Sequence, residues 1–479
     1  MSDRPGTMLR MSEPATKTKR KKARQGVLRS ATGVKLTRDV TFRFALDPTR
    51  AQAHQFYSYA GAARYTFNHH LARIKANLDQ RTAERTYGIA DHGLTPSLSW
   101  SAFTFINEFN AYKNGTLPSS PANDDGTAGL SWRNEVSADV FESASGNAAT
   151  ALKNFTESRG GTRAGKPAGF PKFKSRHKTT PSFRLRNRAK VGASQAIRVT
   201  GPKALRLPTI GDVRVHGCTK KMRRMLEAGR LHLYSATVKF EKGRWFVTLT
   251  GKAAVFHHAR RSHVGRHQDP AGIDRGIKAL AVVGDSTGRV LHTVKAVKAL
   301  QRDEQKLRRA NKTFARTKLG SVGRSKAKQR LTKIHAHIGN VRLHAAHELS
   351  AWLTQALTRL TMEDLNIAGM LGLRSLAKAL SDAGMGQVGR QLEYKAGWYN
   401  LDLAVADRWF ASTKACSGCR NVKDEMGLDE RTYRCEKCGL VLDRDVNAAI
   451  NLATWPEHAH DWYTARTKKP GAPAPPIAA

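Results

Sequence analysis

The first regular pattern along the chain is an alternation of apolar and polar positions from Thr37 to Leu46. Val40, Phe42 and Phe44 share one face there, which is typical of a half-buried β-strand. Helical spacing follows from Pro48 through Leu78. A second helical pattern, from about Glu135 to Glu157, has an apolar stripe made of Val136, Val140, Ala144, Ala148, Ala151, Leu152 and Phe155.

The middle of the chain favours β-structure. Residues 114–130 are rich in Asn, Gly, Pro and Ser, which predicts a loop. Residues 256–268 are basic and rich in histidine, which indicates a linker. His257 and His258 are adjacent and would point apart on any regular element, so they are not predicted to bind a metal ion together. Four strand patterns, which with the strand at 37–46 could close a small barrel, lie at Leu205–Pro208, Asp212–His216, Leu231–Phe240 and Arg244–Thr250.

Two acidic residues interrupt apolar strands in the second half of the chain. Asp274 ends a strand that two antiparallel neighbours follow, at 279–283 and 291–294. The segment from 295 to 360 predicts two helices folded back on each other around 318–323, and the next short strand ends at Glu363. A carboxylate in such a strand costs desolvation free energy unless a cation or hydrogen bonds compensate.

Four of the five cysteines predict a structural metal site. Cys416-x-x-Cys419 is followed after fifteen residues by Cys435-x-x-Cys438, a spacing typical of a zinc ribbon. All four zinc ligands would come from protein, so no position remains for catalysis. The remaining cysteine, Cys218, is predicted to be a small buried apolar residue.

A third carboxylate follows the ribbon. Asp445 lies at the start of an apolar-faced helix, and a lone Asp there is usually a cap. Together, however, Asp274, Glu363 and Asp445 suit phosphodiester cleavage with two Mg²⁺ ions, which needs hard oxygen ligands on ions about 4 Å apart. In this hypothesis Asp274 bridges both ions, while Glu363 and Asp445 each complete one.

The charge balance indicates a polyanionic partner. Lys and Arg number 82 against 38 Asp and Glu, a formal net charge of +44, and nucleic acid is the favoured partner. Ribosomal proteins, histones and binders of anionic membranes share such charge, which says nothing of catalysis. Residues 1–36 predict a basic disordered tail, either touching RNA or serving as a solubilising or targeting tail. No apolar stretch reaches membrane-span length and the N-terminus has no secretory signal pattern, so a prokaryotic cytoplasmic or nucleoid location is expected.

A basic segment with interleaved aromatics lies between the helical and strand patterns, at residues 165–184. It suits a surface that pairs phosphates and stacks on bases. The alternative is a basic loop pinned to the core by Phe170 and Phe173. The candidate nucleic-acid contacts are Lys166, Phe170, Lys172, Lys174, Arg176 and Arg184.

Taken together, the motifs resemble those of the TnpB family of transposon-encoded RNA-guided nucleases and of the compact type V (Cas12-type) CRISPR effectors. The weaker ones are Arg64–Asn68, Gly169–Lys174 with Ser182-Phe183, and Arg244-Trp245. Their order and spacing over residues 37–455 make the resemblance specific. The stronger matches are Gly272–Ile277, Glu363–Asn366, Ser412–Cys419 and Asp443–Ala449.

The resemblance implies a multidomain α+β fold. A split β-barrel wedge domain would occupy 37–46 and 205–268, and a helical recognition domain with the basic loop 47–204. An RNase H-like (RuvC) α/β nuclease domain would occupy 269–410 and 440–458. The zinc ribbon at 411–439 is inserted in it, and 459–479 is a C-terminal tail.

The resemblance also implies an activity. The chain would carry a guide RNA, read a short motif beside the target in double-stranded DNA, and cut both strands with one two-Mg²⁺ site at Asp274, Glu363 and Asp445. One structural Zn²⁺ would be held by the four ribbon cysteines, and the protein would act as a monomer or as a homodimer on one RNA. Arg420 departs from the family, because glycine is usual after the second ribbon cysteine.

Several alternatives stay open. They are an RNA-guided DNA-binding protein without strong cleavage, a transposon accessory factor and an unguided DNA-binding transposase. The choice between a transposon nuclease and a CRISPR effector is open too, although the basic tail and the 114–130 loop lean toward the effector.

Overall fold

A computed structural model describes residues 37–187, 196–254, 265–427 and 429–459. The predicted N-terminal tail, His257 and His258, and the C-terminal tail after residue 459 lie outside the described residues.

An antiparallel sheet of seven strands forms the first layer, in the order β2-β6-β7-β1-β5-β4-β3. The first strand of the chain lies in its middle, paired with β7 along Thr37–Ala45 and with β5 at Ala45–Asp47. The end strands β2 and β3 are not paired with each other in the described part of the chain, so the ladder is open rather than a closed barrel. The strands are β1 (Thr37–Asp47), β2 (Ser182–Arg186), β3 (Arg198–Gly201), β4 (Ala204–Leu207), β5 (Gly211–His216), β6 (Leu231–Glu241) and β7 (Arg244–Ala254).

The described residues of this half contain four α-helices: α1 (Arg50–Thr86), α2 (Ala102–Asn114), α3 (Ala138–Arg159) and α4 (Lys220–Glu227). Thr49 caps α1 in a reciprocal capping box with Gln52. Phe56 of α1 packs against Phe183 of β2 and Trp245 of β7, so helices and sheet share one apolar core. Strands β2 and β3 of the sheet fall inside the range 47–204 that the sequence assigned to a helical domain.

A second sheet, of five strands, has the order β10-β9-β8-β11-β12. Strands β8 to β10 are antiparallel neighbours, whereas β11 is parallel to both β8 and β12. Apolar residues of α6 and α9 join the strands in its core. The strands are β8 (Ala271–Asp274), β9 (Ala279–Asp285), β10 (Val290–Lys295), β11 (Arg359–Glu363) and β12 (Asp402–Ala406), and the helices are α5 (Ala299–Arg316), α6 (Val322–Ala356), α7 (Ile367–Met370), α8 (Arg374–Ala383) and α9 (Met385–Tyr399).

The last part of the chain is a small hairpin and a helix. Strands β13 (Thr432–Arg434) and β14 (Val441–Asp443) pair in antiparallel fashion, and α10 (Arg444–Ala453) follows directly. Helix α10 packs on β8 and β9 of the second sheet. Within the described ranges, no helix combines the length and apolar content needed to cross a bilayer.

Candidate active site

Asp274 and Glu363 end two neighbouring parallel strands. The register pairs Ile273 of β8 with Met362 of β11, so the next residue on each strand is one of the two acids. Parallel strands end at the same edge of a sheet. The sheet therefore brings together two carboxylates that are 89 positions apart in the sequence.

Gly272 allows α10 to approach this edge. A Cβ at that position would lie 2.0 Å from the carbonyl oxygen of Ala449 and 2.5 Å from the amide nitrogen of Ala453. No side chain fits such a gap. The glycine therefore fixes α10 against β8 and places the first turn of α10, with Asp445, beside the two strand ends.

The helix cap is Asp443 rather than Asp445. The Asp443 carboxylate accepts from the amides of Asp445 and Val446, at 2.9 and 3.2 Å. The Asp445 carboxylate is thereby free of capping, and its Oδ1 lies 3.9 Å from a guanidinium nitrogen of Arg431. This result removes the cap interpretation of Asp445 that the sequence left open.

The three acids act on one another electrostatically. Burial, and then the charges of Glu363 and Asp445, raise the pKa of Asp274 well above its ordinary value. Burial and the charge of Asp443 raise the pKa of Asp445. In the described residues the three carboxylates do not come within 4.8 Å of one another as a set.

Two residues that lie in the recognised motifs, but to which the sequence assigned no role, hold Glu363. The Ser412 hydroxyl, which is buried, donates to Glu363 Oε1 at 2.5 Å. The buried Arg275 guanidinium donates to the Glu363 backbone carbonyl. Desolvation lowers the pKa of Arg275, while the surrounding carboxylates oppose that shift. A Cβ at Gly389 of α9 would lie 2.7 Å from Nη1 of Arg275, so this glycine makes room for the guanidinium.

The four ribbon cysteines converge as predicted. All four sulfurs lie within 4.8 Å of one another, and the pairs Cys416–Cys438 and Cys419–Cys435 are each 3.6 Å apart. Zn–S bonds of about 2.3 Å in a tetrahedron place sulfurs roughly 3.8 Å apart, so the four thiols fit one zinc ion. Backbone N–H groups lower the pKa of Cys435 to about 6, whereas contacts with the neighbouring sulfurs raise the pKa of Cys438. Cys218, predicted to be buried, is exposed. It lies just after β5, where its side chain has no apolar layer to enter.

Two asparagines of α10 join the ribbon to the acid-bearing helix. Asn447 donates to the Ala415 carbonyl at 2.8 Å and accepts from the Ser417 amide at 3.0 Å. Asn451, one turn later, donates to the carbonyls of Ser412 and Ala415 at 2.8 and 2.7 Å. Polar residues four apart on a buried helix face were the available sequence signal for this contact.

Arg420, the departure from the family pattern, adopts a left-handed backbone with φ of 64°. That conformation favours glycine, because a Cβ crowds the following carbonyl there. The Arg420 guanidinium donates to Asn451 Oδ1 at 3.2 Å. The substitution therefore leaves the turn in place and adds a bond to α10.

The candidate nucleic-acid residues divide into three groups. Lys166, Lys172 and Arg176 are exposed on the loop before β2. Phe170 packs on the helical core and contacts Phe155, as the pinned-loop alternative expected of it. Phe173 does not fit that alternative, because it is 52% exposed.

Lys174 and Arg184 line a cavity of about 310 Å³ between α1, α3 and β2. Arg64 and Asn147 line it too. The Lys174 ammonium lies 3.6 Å from the ring centre of Phe67, and burial lowers its pKa. Arg184 donates to Ser235 at 2.9 Å.

Family models match three parts of the chain. One described as "Cas12f1-like, TNB domain" matches residues 386–452, which include the four ribbon cysteines and Asp445. One described as "Probable transposase" matches residues 256–374, which include Asp274 and Glu363. One described as "Helix-turn-helix domain" matches residues 39–82; in the structure this range is a strand followed by one long helix.

Relatives match most of the chain. "Putative RNA-guided DNA endonuclease Rv2885c" of Mycobacterium tuberculosis is 31% identical over 87% of this chain and 86% of its own length. A Streptomyces pristinaespiralis protein named "Putative RNA-guided DNA endonuclease" is 30% identical over 68% of this chain and 73% of its own. The chain therefore belongs to the TnpB-like family that its motifs predicted.

A solved structure is also similar, the "Cryo-EM structure of the Cas12f1-sgRNA-target DNA complex". It matches at 13% identity with a TM-score of 0.47, over 85% of this chain and 83% of that chain.

Proposed function

We propose that the protein is an RNA-guided DNA endonuclease that cuts target DNA beside a short adjacent motif. The observation that carries the proposal is the meeting of Asp274, Glu363 and Asp445 at one sheet edge in a chain of this family. Relatives that match most of the chain bear the name "Putative RNA-guided DNA endonuclease", which supports a guide RNA and a DNA target.

The sheet topology supports an RNase H-like (RuvC) nuclease domain over 269–410 and 440–458. Three antiparallel strands followed by two parallel ones, with helices between them, form its centre. The seven-stranded sheet would be the wedge domain. Its boundary is extended from the sequence-based ranges to include β2 and β3, which are hydrogen-bonded into it.

Asp274, Glu363 and Asp445 would hold two Mg²⁺ ions. The donor set fits, because carboxylate oxygens are the ligands Mg²⁺ prefers, and burial together with the charges of Glu363 and Asp445 raises the pKa of Asp274. When bound, such ions supply an activated water and stabilise the leaving 3′-oxygen. The chain's own contribution is positional: Ser412 fixes the Glu363 carboxylate and Arg275 fixes the strand end that carries it.

The basic surface would hold the nucleic acids. Exposed Lys172 and Arg176 suit phosphate contacts, and exposed Phe173 between them suits stacking on a base. The net charge of +44 supports a long polyanionic partner. We infer that Lys174 and Arg184, in the cavity wall, contact the same partner.

The test begins with the RNA that accompanies the purified full-length protein. Sequencing should find one defined small RNA, and the complex should cut a matching plasmid only with Mg²⁺ present. Asp274→Ala should abolish cutting while keeping RNA and target binding. Asp402→Asn, an exposed acid on the neighbouring strand β12, is the matched control and should cut normally.

Each failure has its own meaning. If no defined RNA accompanies the protein, it acts without a guide, as a transposase or an accessory factor would. If a defined RNA is bound but the wild-type protein never cuts, it is an RNA-guided binding protein. If Asp274→Ala cuts like wild type, the active-site assignment is wrong.

A further inference from the structure

A second group of metal-ligating side chains lies on the nuclease sheet, away from the acids described above. His267, Asp269 and Asp285 each offer one ligand atom, and these atoms lie within 4.8 Å of one another. His267 Nε2 is 3.3 Å from Asp285 Oδ2 and 3.8 Å from Asp269 Oδ2. The three side chains therefore face a common point.

The imidazole nitrogen at that point has carboxylates nearby but no hydrogen-bond partner. His267 Nε2 is shielded from solvent and, within the described residues, accepts and donates no hydrogen bond. Leaving a buried polar atom unpaired costs about 1–3 kcal/mol. A bound cation would remove that cost by taking the nitrogen lone pair.

Asp285 is held as a metal-binding carboxylate usually is. It is 1% exposed, and its Oδ1 accepts from the amides of Thr287 and Arg289 and from the Thr287 hydroxyl, at 2.7 to 3.0 Å. These bonds occupy one oxygen and leave Oδ2 directed at His267. Such outer hydrogen bonds orient ligands and tune their affinity for a metal.

We propose that His267, Asp269 and Asp285 form a second zinc site, with water in the fourth position. Zn–N and Zn–O bonds of about 2.0–2.1 Å in a tetrahedron place ligand atoms roughly 3.3–3.4 Å apart. The His267–Asp285 separation matches this value, and Asp269, whose side chain is 57% exposed, is free to close the remaining gap. One imidazole and two carboxylates suit zinc better than Mg²⁺, which rarely takes imidazole.

The position gives the site a structural role. Asp285 is paired with Ala271 at the start of β8, whereas Asp274 ends that strand three residues on, roughly 10 Å away. The backbone of His267 bonds to Ala356 at the end of α6 and to Thr358 just before β11. The ion would staple the β9–β10 hairpin to the junction of α6 and β11, at the edge of the sheet opposite the three acids.

The experiment counts zinc in the full-length protein after dialysis against a weak chelator, which strips ions held loosely by nucleic acid. Wild type should retain two zinc ions per chain, and Asp269→Asn and His267→Gln should each retain one. Asp269→Asn replaces an exposed side chain and leaves the core intact. Asp402→Asn, which also replaces an exposed side chain on the same sheet, is the control and should retain two.

A zinc titration of the chelated protein gives the second readout. Either ligand substitution should weaken zinc binding at this site at least tenfold, because even the loss of a residue that only hydrogen-bonds to a ligand lowers metal affinity about 10- to 100-fold. A single zinc per chain in the wild type overturns the proposal and leaves a His–Asp ion pair. Two zinc ions that persist in both ligand variants also overturn it. Because neither readout uses cleavage, the result is independent of the proposed nuclease activity.

Discussion

At the residue scale, the buried carboxylate of Asp274 destabilises the folded state at neutral pH when no cation is bound. Its pKa in the folded chain lies well above the ordinary value of 3.8, so the folded state holds its proton to higher pH than the unfolded state does. This residue's contribution to stability is therefore favourable at low pH. It is lost as pH rises from 3.8 through the folded pKa, which leaves a penalty at neutral pH.

The first prediction is that Asp274→Asn stabilises the metal-free protein at pH 7, because it removes the buried charge. The same substitution should reduce the rate of cleavage at least about 100-fold, which is the loss typical of removing one charge-stabilising group from an active site. Thermal unfolding with a chelator present measures the first effect. Added Mg²⁺ should then raise the melting temperature of wild type and not of the variant. An Asp274→Asn protein that unfolds at a lower temperature than wild type would contradict this account.

The second prediction concerns the buried hydroxyl on Glu363. Ser412→Ala removes the 2.5 Å bond to Oε1 and should reduce metal affinity or activity about 10- to 100-fold. The measurement is cleavage against Mg²⁺ concentration, in which a positioning role appears as a raised Mg²⁺ requirement. Ser375→Ala, on an exposed site of α8, should leave the curve unchanged. If both variants show the same dependence of cleavage on Mg²⁺ concentration, Ser412 does not position Glu363 for metal binding.

At the scale of elements, the approach of α10 to β8 decides whether the third acid reaches the site. The third prediction is that Gly272→Ala destabilises the protein by about 1–3 kcal/mol or more, because the added Cβ would overlap the Ala449 carbonyl. Gly339→Ala, in the middle of α6 with nothing within 4 Å of the new Cβ, should instead stabilise by about 0.5–1 kcal/mol. Chemical denaturation compares the two, and equal effects would mean that the close contact is unimportant.

The fourth prediction concerns the junction of α10 and the ribbon. Asn447→Ala leaves the Ala415 carbonyl and the Ser417 amide without this partner, so it should cost about 1–3 kcal/mol. Asn451→Ala should cost a similar amount. Denaturation of single and double variants should show coupling between them, since both asparagines bind the Ala415 carbonyl. Strictly additive effects would argue for two independent contacts.

At the scale of the whole molecule, the net charge of +44 is expected to set the strength of binding to a polyanionic partner. The fifth prediction is that Lys172→Ala and Arg176→Ala each weaken RNA binding and lower the slope of log affinity against log salt by about one unit. Arg85→Ala is the matched control, because Arg85 is already paired with Asp91 at 3.2 Å. Binding measured across salt concentrations tests this. If the loop variants leave this slope unchanged, the nucleic acid binds to a different surface of the protein.

Much of the fold was predictable from local pattern. The alternation at 37–46, the helix break near 318–323 and the four strands from 205 to 252 are all observed within a few residues. Helix α2 was not predicted; its buried Phe105 and Phe109 depend on packing against other helices for their helical state. The domain boundary near 204 missed β2 and β3, because short strands belong to a sheet only through distant partners.

The sequence by itself determined the chemistry available to this protein. The cysteine spacing, the three acids in apolar context and the excess of Lys and Arg are local features, and each survives in the structure. Only the tertiary structure decided how they are used. It made Asp443 the cap and freed Asp445, brought Ser412 and Arg275 to Glu363, and turned His267 toward Asp285. These are contacts between residues far apart in the chain, set by strand register and helix approach, which no local pattern encodes.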